Sequence, residues 1–218
     1  MKLRVLVEHG DKRFFATAVD WPGWSRSGRT RDEALARLVE YGQRYRHSLG
    51  AAAAALHLPE SVADLSVVED VSGDMNVDFG VPHTIVEFDR DPLTAQELKR
   101  QIDLLTAAWQ AFEEAAAQAR GKELAPGPRG GGRGLDKIVD HVAEADRLYI
   151  GALGAQAPPS GDWLRTRVAF VDALEAKLRG DLPERGPRGG ERWPARYAVR
   201  RSAWHALDHA WEIEDRSS

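Results

Sequence analysis

Hydrophobic and polar positions along the chain change period near residue 90. In the first part the period is two. In "KLRVLVEH", Leu3, Val5 and Val7 take alternate positions, with the charged Lys2, Arg4 and Glu8 on the other set, which predicts a strand with one buried face. His9-Gly10-Asp11 supplies turn residues and "RFFATAV" follows, so a hairpin is expected. Pro22-Gly23 makes a further turn, and "WSRSG" predicts a short third strand. Thr30, with Glu33 three residues on, spells a capping box. Leu35, Leu38 and Val39 continue the apolar face of the helix it opens. "LSVVEDV" and "HTIVEF" predict two further strands, one on each side of a Gly-Asp turn near residue 73.

Beyond Asp91-Pro92 the period becomes helical. Thr94 and Glu97 form a second capping box. Leu98, Ile102, Leu105, Trp109 and Phe112 then recur at spacings of four, three, four and three, one long amphipathic helix. A second helix is predicted from Leu135 to Leu153, with Leu135, Ile138, Val142, Ala145 and Tyr149 on one stripe. A third opens at Ser160 and carries Leu164, Val168, Val171, Leu174 and Leu178. A fourth runs from Ala195 to Arg216. Four such helices predict a four-helix bundle. The expected class is α+β: a small sheet-plus-helix domain over residues 1–89, then a bundle over 90–218.

Composition removes several function classes. The chain has 218 residues, 43% hydrophobic and 29% charged, enough for a core without staples. The absence of cysteine excludes disulfides, thiolate metal sites and a cysteine nucleophile. No signal peptide is visible, and no apolar run approaches the roughly 20 residues of a membrane helix, so a cytoplasmic protein with no membrane partner is expected. The net charge of −4 argues against nucleic acid. Arginines recur in two loops, "RGKELAPGPRGGGRG" and "GDLPERGPRGGERWP", both containing Gly-Pro-Arg-Gly-Gly. These read as flexible basic loops, or as arginines that close over an anionic ligand. If the bundle alternates up and down, both lie at one end.

The chemistry sits near the C-terminus, in "WHALDHAWEIEDR". His205 and His209 are one helical turn apart on one face, so two imidazoles can converge on one ion. The same face carries Arg201, Glu212 and Arg216, and a solvated stripe would read the same way. A third nitrogen ligand separates the two readings, since three plus an open position is the usual catalytic zinc arrangement. His141 is the best placed, on the second bundle helix beside Ile138, Ala145 and Leu148; a core histidine is the plainer reading of that residue alone. His9, His47, His57 and His83 lie in turns, at a helix end or in irregular segments. Glu212 could serve as base, ligand or partner of Arg216, and Asp208 and Glu144 could orient an imidazole.

Two family resemblances add to this reading. Pro22-Gly23, Gly28, Thr30 and Glu33-Ala34, within "VDWPGWSRSGRTRDEALARL", resemble the HicB-like family, which implies a small sheet with a packed helix. The DNA-binding segment that usually follows in antitoxins of that family is not found here. Residues 90–216 resemble the DinB-like family of metal-binding four-helix bundles, with one histidine on the second helix and His-x-x-x-His on the fourth. That resemblance implies one divalent ion, zinc or nickel, held by His141, His205 and His209. It also implies transferase or isomerase chemistry on a small-molecule substrate, with a low-molecular-weight thiol such as bacillithiol or mycothiol. Metal-dependent hydrolysis at the same site is one alternative. A non-enzymatic, antitoxin-like partner-binding protein is the other. A homodimer is compatible with both kinds of domain.

Overall fold

The computed structural model describes residues 2–127 and 132–217. It is mixed α+β, a four-stranded sheet with eight α-helices among the described residues. Strands β1 (Leu3–His9), β2 (Phe14–Ala18) and β3 (Ser25–Gly28) follow the predicted hairpin and turn. Helices α1 (Arg31–Glu40) and α2 (Gly42–Leu49) come next, then strand β4 (Leu65–Ser72). The sheet order is β3-β2-β1-β4, with β1–β2 and β2–β3 antiparallel and β4 parallel to β1. The Thr30 hydroxyl accepts from the Glu33 N–H, while the Glu33 carboxylate reaches the Arg29 N–H, one residue earlier than the capping box requires.

Strand β1 is covered on both faces, not one. Val5 and Val7 join Leu35 and Leu38 in the main core, while Leu6 packs with Val19 and Val86 on the other side. Glu8 is also buried, and its Oε1 accepts from the His83 N–H at 3.0 Å, the Thr84 N–H at 2.8 Å and the Thr84 hydroxyl at 2.6 Å. This explains why "HTIVEF" forms no strand. Its backbone donors go to carboxylates, including Glu69, which accepts from the N–H groups of Glu87 and Phe88. The segment enters the short helix α4 (Glu87–Arg90); another short helix, α3 (Met75–Asp78), precedes it.

The long helices are α5 (Ala95–Gln118), α6 (Leu135–Leu153), α7 (Trp163–Arg179) and α8 (Ala195–Ser217). Thr94 and Glu97 make the complete capping box at α5. Helix directions follow from paired residues. Glu97 meets Arg196 and Trp109 meets Ser202, so α5 and α8 run parallel. Asp146 meets Ser202 and His141 meets His205, so α6 opposes α8. Glu113 pairs with Arg167 and Trp109 packs edge-on to Phe170, so α7 opposes α5. The bundle therefore does not alternate: α6 and α7 are parallel. Residues 154–162 run back along α6, where the Pro158 carbonyl accepts from Arg147 at 2.9 Å. Nine extended residues reach about 30 Å, enough to return along a helix of this length.

The two arginine loops consequently lie at opposite ends and cannot close on one ligand. The α5–α6 connection meets the end of α8, with the Ala125 N–H bonded to the Arg216 carbonyl. The α7–α8 connection meets the end of α6 through Trp193 and Ala152. Pro128, Arg129, Gly130 and Gly131 of the first Gly-Pro-Arg-Gly-Gly copy lie outside the described residues.

Helix α7 turns inward a face that only partly matches the predicted stripe: Leu174 is buried and Val171 packs on the core as expected, while Leu164, Val168 and Leu178 are exposed. Leu164 is 73% and Val168 55% exposed, while Thr166, Phe170, Ala173 and Leu174 are buried. Seating the Phe170 ring against Trp109 buries more apolar area than either aliphatic residue offers. The bundle and the α1–α2 side of the sheet share one hydrophobic core. At Gly23, with φ of 92°, an added Cβ would stand 2.7 Å from Leu207 of α8, so glycine is required both by conformation and by close approach. No helix among the described residues is long and apolar enough to cross a membrane.

Candidate metal centre

The antiparallel pairing of α6 with α8 brings His141 against His205 and His209. Ring centroids are 4.9 Å apart for His141–His205, 5.2 Å for His141–His209 and 4.7 Å for His205–His209. One nitrogen from each ring lies within 4.8 Å of the others. The Nε2 atoms of His141 and His205 are 3.1 Å apart. Two imidazole nitrogens bound to one ion at about 2.0–2.1 Å and roughly 90–110° stand about 2.9–3.4 Å apart, so the donor set fits a metal ion.

The histidine face of α8 is not a wet stripe. His205 is 6% exposed and Arg216 also 6%, with His209 and Glu212 half-buried. Leu148, expected beside His141 on the inward face, is instead exposed. Burial pushes the His205 pKa well below its usual value, helped by the charges of His209 and Arg201. Burial first, then His209 and Arg133, lowers His141 as well. Both rings are therefore neutral at neutral pH, the form that donates to a metal.

Spacings of three and four along α8 build an outer layer. Glu212 Oε2 lies 2.8 Å from His209 Nδ1, and Glu212 Oε1 accepts from Arg216 Nη1 at 2.6 Å. The contact with His209 is the main reason the Glu212 carboxyl is held below the usual carboxylate range. A proton on Nδ1 directed at Glu212 leaves the Nε2 lone pair of His209 for an ion. Arg216 continues outward to the Ala125 carbonyl at 2.7 Å and the Arg133 carbonyl at 3.0 Å. The site is thus tied to the α5–α6 connection. Glu212→Gln will lower zinc affinity about 10–100-fold, measured by competition with a chelating dye. An unchanged affinity would show that the glutamate serves only the loop.

The other expected carboxylates play no such part. Asp208 faces Arg26 at 3.5 Å, and Glu144 pairs with Arg147 at 2.7 Å. Two further side chains stand beside the histidines: Tyr149, expected only as a core residue of α6, and Arg201, expected on the histidine face but given no role there. Tyr149 places its ring 6.2 Å from that of His205, and Arg201 lies one turn before His205 with its guanidinium 5.6 Å from the Tyr149 ring. The i, i+4 register that placed Arg201 on the histidine face is thus kept in the structure. Compared with protein-family models, curated proteins and solved structures, the chain matches none.

Proposed function

We propose that the protein is a metal-dependent enzyme in which His141, His205 and His209 hold one divalent ion, zinc or nickel. The observation that carries this is the convergence of three imidazoles from two antiparallel helices, two of them kept neutral mainly by burial. Imidazole suits both metals. When bound, such an ion acidifies a thiol or water that it coordinates. The reaction assigned to it is group transfer involving a small molecule and a low-molecular-weight thiol. The positive charges of Arg133 and Arg201, felt at both His141 and His205, favour an anionic ligand such as a thiolate.

The same reading takes residues 90–218 as a DinB-like bundle and residues 1–89 as a HicB-like domain that walls the site. Support for the wall is the Phe15 ring, packed edge-on at 6.3 Å from Trp204, the residue before His205. The test is the metal content of untagged protein by mass spectrometry, beside His209→Ala. About one zinc or nickel per chain is expected in the wild type, with most of it lost in the variant. Wild-type protein that takes up neither metal would overturn the proposal.

A further inference from the structure

Buried donors in native proteins are almost always matched by acceptors, so unmatched ones call for a ligand or water. Three lie within one turn of α8. Arg201 Nη1, Trp204 Nε1 and His205 Nδ1 are buried with no hydrogen-bond partner among the described residues. Trp204 and His205 are both more than nine-tenths buried, with ring centroids 6.2 Å apart. The Arg201 guanidinium lies 4.6 Å from the Trp204 ring and 5.6 Å from the Tyr149 ring.

The contrast with the other arginines of α8 is informative. Arg196 pairs with Glu97, Arg200 with Asp89 and Arg216 with Glu212. Arg201 has no ion pair among the described residues, and the carboxylates Glu144 and Asp208 are engaged by Arg147 and Arg26. Aromatic faces support the guanidinium without satisfying its N–H groups. A partly buried planar fork with a free donor is suited to a carboxylate.

We propose that Arg201 is the specificity-determining residue of the site, and that it binds a carboxylate on the small thiol whose sulfur occupies the metal. The proposal rests on the metal reading above. One helical turn, about 6 Å, separates Arg201 from His205 along the axis, so thiol and carboxylate belong on one short molecule. Selectivity comes from charge and shape together: a neutral isostere leaves Arg201 unmatched.

The test uses zinc-loaded full-length protein, with 3-mercaptopropionate and its neutral amide as calorimetric probes and the zinc content of every sample measured. Wild type is expected to bind the acid at least about 10-fold more tightly than the amide. Arg201→Met should erase that preference while keeping its zinc and its affinity for the amide. Arg201→Lys, which keeps the charge and loses the fork, should restore it in part. Equal binding of acid and amide by zinc-loaded wild type, or a preference that survives in Arg201→Met, would overturn this inference and leave the metal reading standing. Wild type that holds no zinc would overturn both.

Discussion

Asp89→Ala will cost about 3–5 kcal/mol of folding stability, among the largest effects of any single truncation in this chain. Asp89 is 2% and Arg200 5% exposed, so the pair is almost entirely out of water. The contact is two-pronged: Arg200 Nη2 to Asp89 Oδ2 at 2.5 Å and Nε to Oδ1 at 3.1 Å. Arg200 also donates to the Thr84 carbonyl, and Asp89 also accepts from the Val86 N–H. Truncating Asp89 strands a buried guanidinium and an N–H together. It also releases the irregular segment that Tyr197 holds through the His83 carbonyl. The double variant Asp89→Leu with Arg200→Met should recover a large part of the loss, because it removes both charges and leaves only the Val86 N–H and the Thr84 carbonyl without those partners. Urea unfolding at pH 7 measures all three proteins. A loss below about 1 kcal/mol in Asp89→Ala would mean that the segment relaxes and lets water reach Arg200.

That pair marks the boundary of what the chain discloses by itself. Elements built on local periodicity were legible: β1 to β4, the helix cap at Thr30, the capping box at Thr94, and the four long helices within a few residues. The histidine trio was legible too, because i, i+4 spacing on α8 is local and His141 sits on an amphipathic helix. Long-range choices were not. Nothing in "GAQAPPSGD" states that it returns along α6, yet that path sets α6 parallel to α7 and separates the two arginine loops. "HTIVEF" has strand composition, but the carboxylates of Glu8 and Glu69 capture its backbone donors. Leu164 and Val168 fit a helical stripe, but the aromatic partner of Phe170 lies on another helix. Glu212 was one of three carboxylates of similar standing near the histidines. Its selection depends on Arg216 and on the backbone of residues 125 and 133.

Asp146→Asn will stabilise the protein, and by an amount that depends on pH. The Asp146 carboxyl is 3% exposed and sits between α6 and α8. Its Oδ1 accepts from the Ser202 hydroxyl at 2.7 Å, and that hydroxyl accepts from Trp109 Nε1 at 3.2 Å. Burial pushes the carboxyl up to about 7, against the lowering influence of the Ser202 hydrogen bond and the Arg167 charge. The unfolded chain releases the same proton near pH 3.9. Between these values the folded state holds more protons than the unfolded one, so stability falls as pH rises. The contribution is complete below about pH 4 and gone above about pH 7. A shift of roughly three units corresponds to about 4 kcal/mol. Asparagine keeps the shape of the protonated acid and has nothing to ionise. The variant should therefore exceed wild type by up to about 4 kcal/mol at pH 8 and by about 1 kcal/mol at pH 4.5. Other titrating groups, the histidines included, cancel in this difference. Arg167 is the cation among the described residues whose charge is felt at Asp146, and it could reverse the result. Its Nε and Nη2 are buried without hydrogen-bond partners among the described residues, although Nη1 reaches Glu113. A difference that stays flat from pH 4.5 to pH 8 would mean that Asp146 is ionised inside the bundle, with Arg167 as its counter-charge.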